Sequence, residues 1–272
     1  MAVEPDSRVA LVTGASSGIG KAAAVALLSA GFTVYGTSRK ATPGEERDGV
    51  AFLPLDVTDD DSVAAAVGEV VGRGRLDVLV NNAGFGIAGA AEESSIEQAR
   101  TLFETNVFGA MRMARAVLPH MREQGGGRII NVSSVLGLVP APFSALYAAS
   151  KHAIEGYSES MDHELREYGI RVVLVEPAYT RTSFDANTVP VDEPLPLYAR
   201  RRQAYELLVA EAVKGGDEPS LVGDAIVAAA TDERPKLRYT AGKLARRVSK
   251  ARRYVPSGIF DKQIRKINKL AA

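Results

Sequence analysis

Tyr147-Ala148-Ala149-Ser150-Lys151 sets a phenol and an ammonium one helical turn apart on a single face. An ammonium at that separation stabilises phenolate and lowers a tyrosine pKa from its ordinary value of about 10. The hydroxyl can then exchange a proton near neutral pH. Ser133 and Ser134, thirteen and fourteen positions earlier, end an apolar run, where a hydroxyl can hold a carbonyl or alcohol oxygen against the phenol. Taken alone, Tyr-x-x-x-Lys also occurs on solvated helix faces, so the chemistry depends on the elements that place these groups.

Those elements follow from patterning. Near-continuous apolar runs at 9–13, 32–37, 50–55, 76–81, 128–133 and 170–175 predict strands buried on both faces. Helix-length segments at 18–30, 59–72, 96–123 and 145–168 separate them. Strand-helix-strand repetition with right-handed crossovers gives an α/β, doubly wound, mostly parallel sheet. We expect one domain over 1–242, with 183–216 as a substrate-loop insertion, followed by a basic amphipathic extension over 243–272.

After the first run stands Thr13-Gly14-Ala15-Ser16-Ser17-Gly18-Ile19-Gly20, which opens a helix. A pyrophosphate there meets free backbone N–H groups and the positive end of the helix dipole, and glycine permits close approach. Without the flanking strand and helix this would be only a tight turn; with both, it has the context of a dinucleotide site. The second run ends in Thr37-Ser38-Arg39-Lys40, where an Asp or Glu would favour a bare ribose. A hydroxyl and two cations suit the 2′-phosphate of NADP(H); the plainer reading is a solvated Arg-Lys pair. Asp56-Val57 ends the third run, where the carboxylate can accept from an adenine amino group, and Asn81-Asn82-Ala83-Gly84 ends the fourth.

Composition narrows the classes. At 272 residues, 46% hydrophobic and 24% charged, the chain suits one large globular domain. The absence of cysteine excludes disulfides, thiolate nucleophiles and cysteine-based zinc sites. His120, His152 and His163 are too scattered for a metal site and are read as surface residues. Ser133-Ser134 lacks the Gly-x-Ser-x-Gly elbow and His-Asp pairing of a serine hydrolase. Residues 1–8 are short, acidic and proline-bearing, unlike a signal peptide, and no run approaches the ~20 apolar residues that span a bilayer, so a cytoplasmic address is expected.

Thirty-three basic residues balance thirty-three acidic ones, but residues 234–272 hold thirteen bases against Asp261 alone, a local +12 that leaves −12 on the rest. The tail lacks the aromatic-basic interleaving of a nucleic-acid module, so no nucleic acid is expected. Leu244 and Val248, then Ile259, Phe260, Ile264 and Ile267, form apolar stripes broken by Pro256 and Gly258. Docking on the acidic body is the favoured arrangement; contact with an anionic membrane surface is the alternative.

The motifs together resemble the short-chain dehydrogenase/reductase family from Val9 to about Gly242, and the general look is similar to its 17β-hydroxysteroid and retinol dehydrogenase branch. The match adds Asn106 in Glu-Thr-Asn-Val and Pro177-Ala178-Tyr179-Thr180-Arg181-Thr182 to the segments above. The resemblance implies a Rossmann fold with Tyr147 as acid and base, and Ser134 as the group orienting the substrate oxygen. Lys151 would lower the Tyr147 pKa and hold the nicotinamide ribose, and Asn106 would support a proton-leading water. Thr180 and Thr182 would meet the nicotinamide carboxamide. The family's usual Pro-Gly reads Pro177-Ala178 here, which bears on the local loop geometry.

The expected reaction interconverts a hydrophobic secondary alcohol and ketone, or an alcohol and aldehyde, at the expense of NADP(H); the alternative is a catalytically silent dinucleotide-binding sensor or scaffold. Residues 139–143 together with Phe184, Leu195, Leu197, Tyr198, Tyr205, Leu207 and Leu208 can line an apolar pocket. The stripe of Leu102, Phe103, Val107, Phe108, Met111 and Met113 is wider than one buried seam needs, which suits either core packing or a homodimer.

Overall fold

In the computed structural model, which describes residues 7–270, the apolar runs become the middle of one eight-stranded sheet. Residues 1–6 of the stretch weighed above as a leader lie outside the described residues, as do Ala271 and Ala272. The first half runs β1 (Val9–Val12), α1 (Gly18–Ser29), β2 (Thr33–Ser38), β3 (Glu46–Arg47), β4 (Val50–Pro54), α2 (Asp60–Val71) and β5 (Val78–Asn81). There follow a two-residue strand β6 (Ile87–Ala88), α3 (Ile96–Phe103), α4 (Gly109–Glu123), β7 (Gly127–Val132), α5 (Ala145–Leu165) and β8 (Ile170–Pro177). The last third holds β9 (Val189–Pro190), α6 (Ala199–Lys214), α7 (Pro219–Thr231), β10 (Arg238–Ala241), α8 (Lys243–Tyr254) and α9 (Ser257–Ile267).

The strand order is β10-β8-β7-β5-β1-β2-β4-β3, parallel throughout except for the short antiparallel edge β3. The order turns back on itself between β1 and β5, and in open α/β sheets the crevice at that switch, beyond the carboxyl ends of the strands, is where ligands bind.

The runs are continuous because both faces are covered. Leu11, Leu79, Ile129 and Val172 face α2, α4 and α5, while Ala10, Val80, Ile130 and Val173 face α1 and α7. Each fully buried Val, Leu or Ile among them contributes about 1.5–3 kcal/mol relative to exposure.

Three local differences from the sequence expectations bear on function. The helix expected over 96–123 is divided by a π turn at Glu104–Phe108. β10, unseen in the periodicity, adds a parallel strand beside β8 with Arg238 opposite Leu174. The insertion is not a bare loop: β9 pairs with β6, Val189 opposite Ile87, and α6 follows it without one buried residue.

Within the stripe on α3 and α4, Leu102, Val107 and Met113 are buried and Phe108 points outward. In the tail, α8 seats Ala245 in the protein and Arg252 Nε donates to Leu138 O at 3.0 Å. Gly258 lies inside α9, so the break between the two helices falls at Val255 and Pro256, and no residue of α9 is buried.

Candidate active site

α5 carries both members of the Tyr-Lys pair, and its far end is pinned by Asp162. That fully buried carboxylate accepts from Arg171 Nε at 2.8 Å, Arg166 Nε at 2.9 Å and Val172 N at 2.9 Å, tying α5 to the start of β8. Burial works against its charge, but the two arginines and the backbone N–H prevail and hold its pKa below the ordinary value. The near end is unusual: Ser144 occupies the cap position, yet its hydroxyl makes no cap bond and instead shares a hydrogen bond with the Tyr205 hydroxyl of α6.

Between these ends Lys151 is buried, and its Nζ donates to Val132 O at 2.8 Å, at the end of β7. It lies 5.6 Å from the centre of the Tyr147 ring. Two residues past that strand Ser134 is buried, its Oγ accepting from Leu136 N at 3.1 Å, and its hydroxyl acts on the Tyr147 phenol. The Phe184 ring roofs Tyr147 at 5.6 Å. Phe143, held at φ 61°, packs against Tyr205 at 5.8 Å and Tyr198 at 6.3 Å, so the 139–143 segment meets the insertion.

The spacing argument expected Lys151 to lower the phenol pKa. In the structure burial drives it the other way, above its ordinary value, with the Ser134 hydroxyl opposing and Asp185 and Tyr205 adding to the rise. The reason is visible in Lys151 itself: burial brings its pKa down to about 8, with Glu155 opposing, and its Nζ points at a carbonyl rather than at the phenol.

The π turn delivers Asn106. Its Nδ2 donates to Phe85 O at 2.9 Å and to Ser150 Oγ at 3.3 Å, while its Oδ1 accepts from Phe85 N at 3.0 Å. A cavity of about 10 Å³, room for roughly one water, is lined by Asn106, Asn131, Val132 and Lys151.

At the other end of the crevice the glycine loop is tightly built. Gly18 sits at φ 54°, and a Cβ on Gly20 would fall 2.3 Å from Gly14 O, so neither admits a side chain without rearrangement. Asn82 Nδ2 donates to Thr13 O at 3.0 Å and Gly14 O at 3.2 Å, and Thr13 Oγ1 accepts from Asn82 N and Ala83 N. Ser16 and Ser17 are exposed, Ile19 is half-buried behind them, and the first turn of α1 has neither a side-chain cap nor an acidic residue. Its N–H groups thus face the crevice mouth with no anion of the chain's own, which fits a pyrophosphate.

Ser38 Oγ accepts from Lys40 N at 3.2 Å, and Arg39 is exposed beside it. Asp56 Oδ1 accepts from Thr58 N and Thr58 Oγ1, bonds that lower its pKa, with Arg39 contributing; Val57 is buried next to it. Gly84 lies against Asn106. Pro177 ends β8, Thr180 Oγ1 donates to Ala178 O at 3.1 Å, and Thr182 Oγ1 accepts from Phe184 N while its side chain faces Gly18. Ala178 takes no positive φ, so the departure from Pro-Gly needs no glycine here.

The structure therefore gathers the residues singled out in the sequence along one crevice and leaves the histidines outside it. His152 and His163 are exposed on α5, and His120 is half-buried on α4. Sequence reasoning overlooked a polar layer beneath the site. Asn81 Nδ2 donates to Asn131 Oδ1 at 2.9 Å and Asn131 Nδ2 to Ser158 Oγ at 2.7 Å. Behind Ser133, buried Glu155 and Glu176 converge on Arg238, whose Nε lies 3.0 Å from Glu155 Oε2 and 3.2 Å from Glu176 Oε1. The available signal was polar residues inside otherwise apolar strand runs.

Comparison with known proteins agrees with this layout. The short chain dehydrogenase family model matches residues 8–192. The chain is 37% identical to a 3-ketodihydrosphingosine reductase of Bacteroides thetaiotaomicron, over 95% of this chain and 97% of that protein. It is 35% identical to human retinol dehydrogenase 8, covering 88% and 82%, and 34% identical to rat estradiol 17-beta-dehydrogenase 1, covering 93% and 79%.

Among solved structures, a short-chain dehydrogenase from Streptomyces avermitilis matches with TM-score 0.77 and 34% identity over 98% of this chain and 96% of that one. Two Burkholderia short-chain dehydrogenases match with TM-scores of 0.74 and 0.79. The first, from B. cenocepacia in complex with NADP, is 28% identical over 96% of this chain and 99% of its own. The second, from B. phymatum in complex with NAD, is 26% identical over 96% of each. Sheet order, crevice and relatives thus converge, and the chain belongs to the short-chain dehydrogenase/reductase family, in the branch of the 17β-hydroxysteroid and retinol dehydrogenases.

Proposed function

We propose that the protein is an NADP(H)-dependent oxidoreductase that interconverts a hydrophobic secondary alcohol and its ketone, or an alcohol and an aldehyde, with Tyr147 as the acid and base. One observation carries this reading: the buried Tyr147 phenol stands with the Ser134 hydroxyl beneath the Phe184 ring, with Lys151 a turn further along α5. A carbonyl oxygen between Ser134 and Tyr147 accepts from both hydroxyls, and in reduction the Tyr147 proton passes to the developing alkoxide. In oxidation the phenol must lose its proton, the direction that burial opposes. Lys151, with a pKa near 8, exchanges protons close to neutrality, and the water-sized space beside it and Asn106 gives a route for resupply.

The cofactor supplies the hydride. Gly14, Ser16, Ser17, Gly18, Ile19 and Gly20 would hold its pyrophosphate; Asp56 and Val57 its adenine; Asn82, Ala83 and Gly84 the strand-end floor beneath it. Thr180, Thr182 and Pro177 would frame the carboxamide. Ser38 and Arg39 favour NADP(H), since they present a hydroxyl and an exposed cation where a bare ribose would want a carboxylate. The solved neighbours bind NADP in one case and NAD in another, so the cofactor preference rests on Arg39.

The names of the curated relatives support a lipophilic alcohol or carbonyl compound. Phe108, exposed at the π turn, supports a homodimer through this edge of α4.

The test is a turnover screen with NADPH and NADH against long-chain ketones, aldehydes and quinones. We expect NADPH oxidation with apolar carbonyl compounds. If NADPH binds, nothing in the series turns over, and Tyr147→Phe behaves like the parent, the chain is a dinucleotide sensor instead.

A further inference from the structure

Two of the α-helices hold no fully buried residue. α6, which closes over the site, and α9, the last helix, each lack a buried residue, yet both carry large aliphatic side chains. Leu197, just before α6, is 77% exposed and Leu207 on α6 is 68% exposed; on α9 Ile259 and Ile267 are 54% and 60% exposed. The helices are joined, because Arg201 Nη1 at the start of α6 donates to Lys269 O beyond the end of α9, at 2.8 Å.

Positive charge surrounds the α9 part of this apolar surface. From residue 243 onward the chain has ten Lys or Arg and a single acid, Asp261. Had the tail been drawn to the acidic body by charge, its bases would be paired with body carboxylates. Among the described residues Lys262 and Lys266 of α9, like Arg246, Arg247 and Lys250 of α8, form no ion pair. The tail is seated locally, through buried Ala245 and the Arg252 bond to the Leu138 carbonyl, rather than through pairs with body carboxylates.

We propose that α9 and the outer side of α6 dock on an anionic lipid bilayer, with the aliphatic side chains entering the headgroup boundary and the lysines meeting lipid phosphates. Exposed aliphatic residues flanked by unpaired cations are what an interfacial helix requires. A nucleic acid would satisfy the cations but leave the leucines and isoleucines in water. A second copy of the same face would bring like charges together. Docking in this orientation puts the insertion, and through Phe184 the Tyr147 pocket, at the bilayer surface, where a lipophilic substrate partitions. The purpose assigned to the contact rests on the hydrophobic-substrate reading above, whereas the contact itself is measured without turnover.

The experiment is co-sedimentation of the full chain with phosphatidylcholine vesicles, plain or containing about a third phosphatidylglycerol. We expect pelleting only with the anionic vesicles, declining as salt rises. Lys262→Glu with Lys266→Glu should weaken it by about tenfold or more, since each basic residue near the surface counts for about 1 kcal/mol. Ile259→Ser with Ile267→Ser should weaken it comparably while leaving the thermal midpoint within a degree or two, because both positions are exposed. Equal pelleting with both vesicle types, binding untouched by either double variant, or retention of a DNA duplex in place of vesicles would overturn the proposal.

Discussion

Glu176 is the sharpest thermodynamic test of the polar layer under the site. It lies on β8 with no exposure, neither carboxylate oxygen has a hydrogen-bond partner among the described residues, and Arg238 at 3.2 Å is shared with Glu155 and Glu159. Burial first, and Glu155 second, push its pKa up from the usual 4.5 to about 7, with Arg238 opposing. The folded state therefore holds a proton that the unfolded chain releases. Below the unfolded value both states are protonated and nothing is lost. As pH climbs from 4.5 to 7 stability falls, and above 7 the loss is constant.

A shift of this size corresponds to at most about 3 kcal/mol, at 1.36 kcal/mol per unit. Glu176→Gln removes the charge, keeps the shape and offers an amide donor to the unpartnered Glu155 Oε1. We expect the variant to be more stable than the parent at pH 8 by up to about 3 kcal/mol, roughly 5–10 °C in midpoint, and to differ by under about 1 kcal/mol at pH 5. Thermal unfolding of both proteins at the two pH values decides it. A Gln variant no more stable at pH 8, or shifted equally at both, would refute the claim that an unfavourably buried carboxylate sits behind Ser133.

Tyr147→Phe should retain NADPH affinity by fluorescence titration and lose turnover by two or more orders of magnitude; a residual rate above about a tenth of the parent would reassign the proton donor. Dissociation constants should favour NADPH over NADH by roughly ten- to hundredfold, and Arg39→Asp should reverse the order, whereas equal constants in the parent would remove Arg39 from the cofactor site. Asp162→Asn leaves Arg171 without its buried counter-charge and should cost about 3 kcal/mol in denaturant unfolding at pH 7. Because its folded pKa is depressed, the stability that Asp162 contributes is present above the ordinary 3.8 and lost as pH falls through the folded value, so the gap between parent and variant should close in acid.

How much of this was legible follows from range. The central strands announce themselves because double burial makes them apolar without interruption, and the glycine loop because backbone crowding such as that at Gly20 admits nothing else. β10 escaped because Arg-Tyr-Thr-Ala is too short for periodicity, and its partner β8 lies some sixty residues earlier. The direction of the Tyr147 shift escaped for another reason. Spacing along α5 places the ammonium, but the depth of the phenol depends on Phe184 and the insertion, which no local pattern reports. The Glu155–Glu176–Arg238 cluster likewise joins α5, β8 and β10, three elements distant in the chain.

The π turn at Glu104–Phe108 has a consequence for how this fold can be altered. Such a turn accommodates one residue more than the α-helical count, so the stretches on either side keep their facing directions across it. Leu102 beneath the insertion and Met113 against the sheet are thus indifferent to whether the extra residue is there. Removing Thr105 would let an unbroken helix close over the gap, with regular backbone bonding and both apolar faces in place. Asn106, inside the turn with buried Val107, would lose its station beside Phe85 and Ser150. A one-residue deletion can therefore make the helix more regular while taking Asn106 out of the crevice, separating the requirements of folding from those of the proposed chemistry at a single point in the chain.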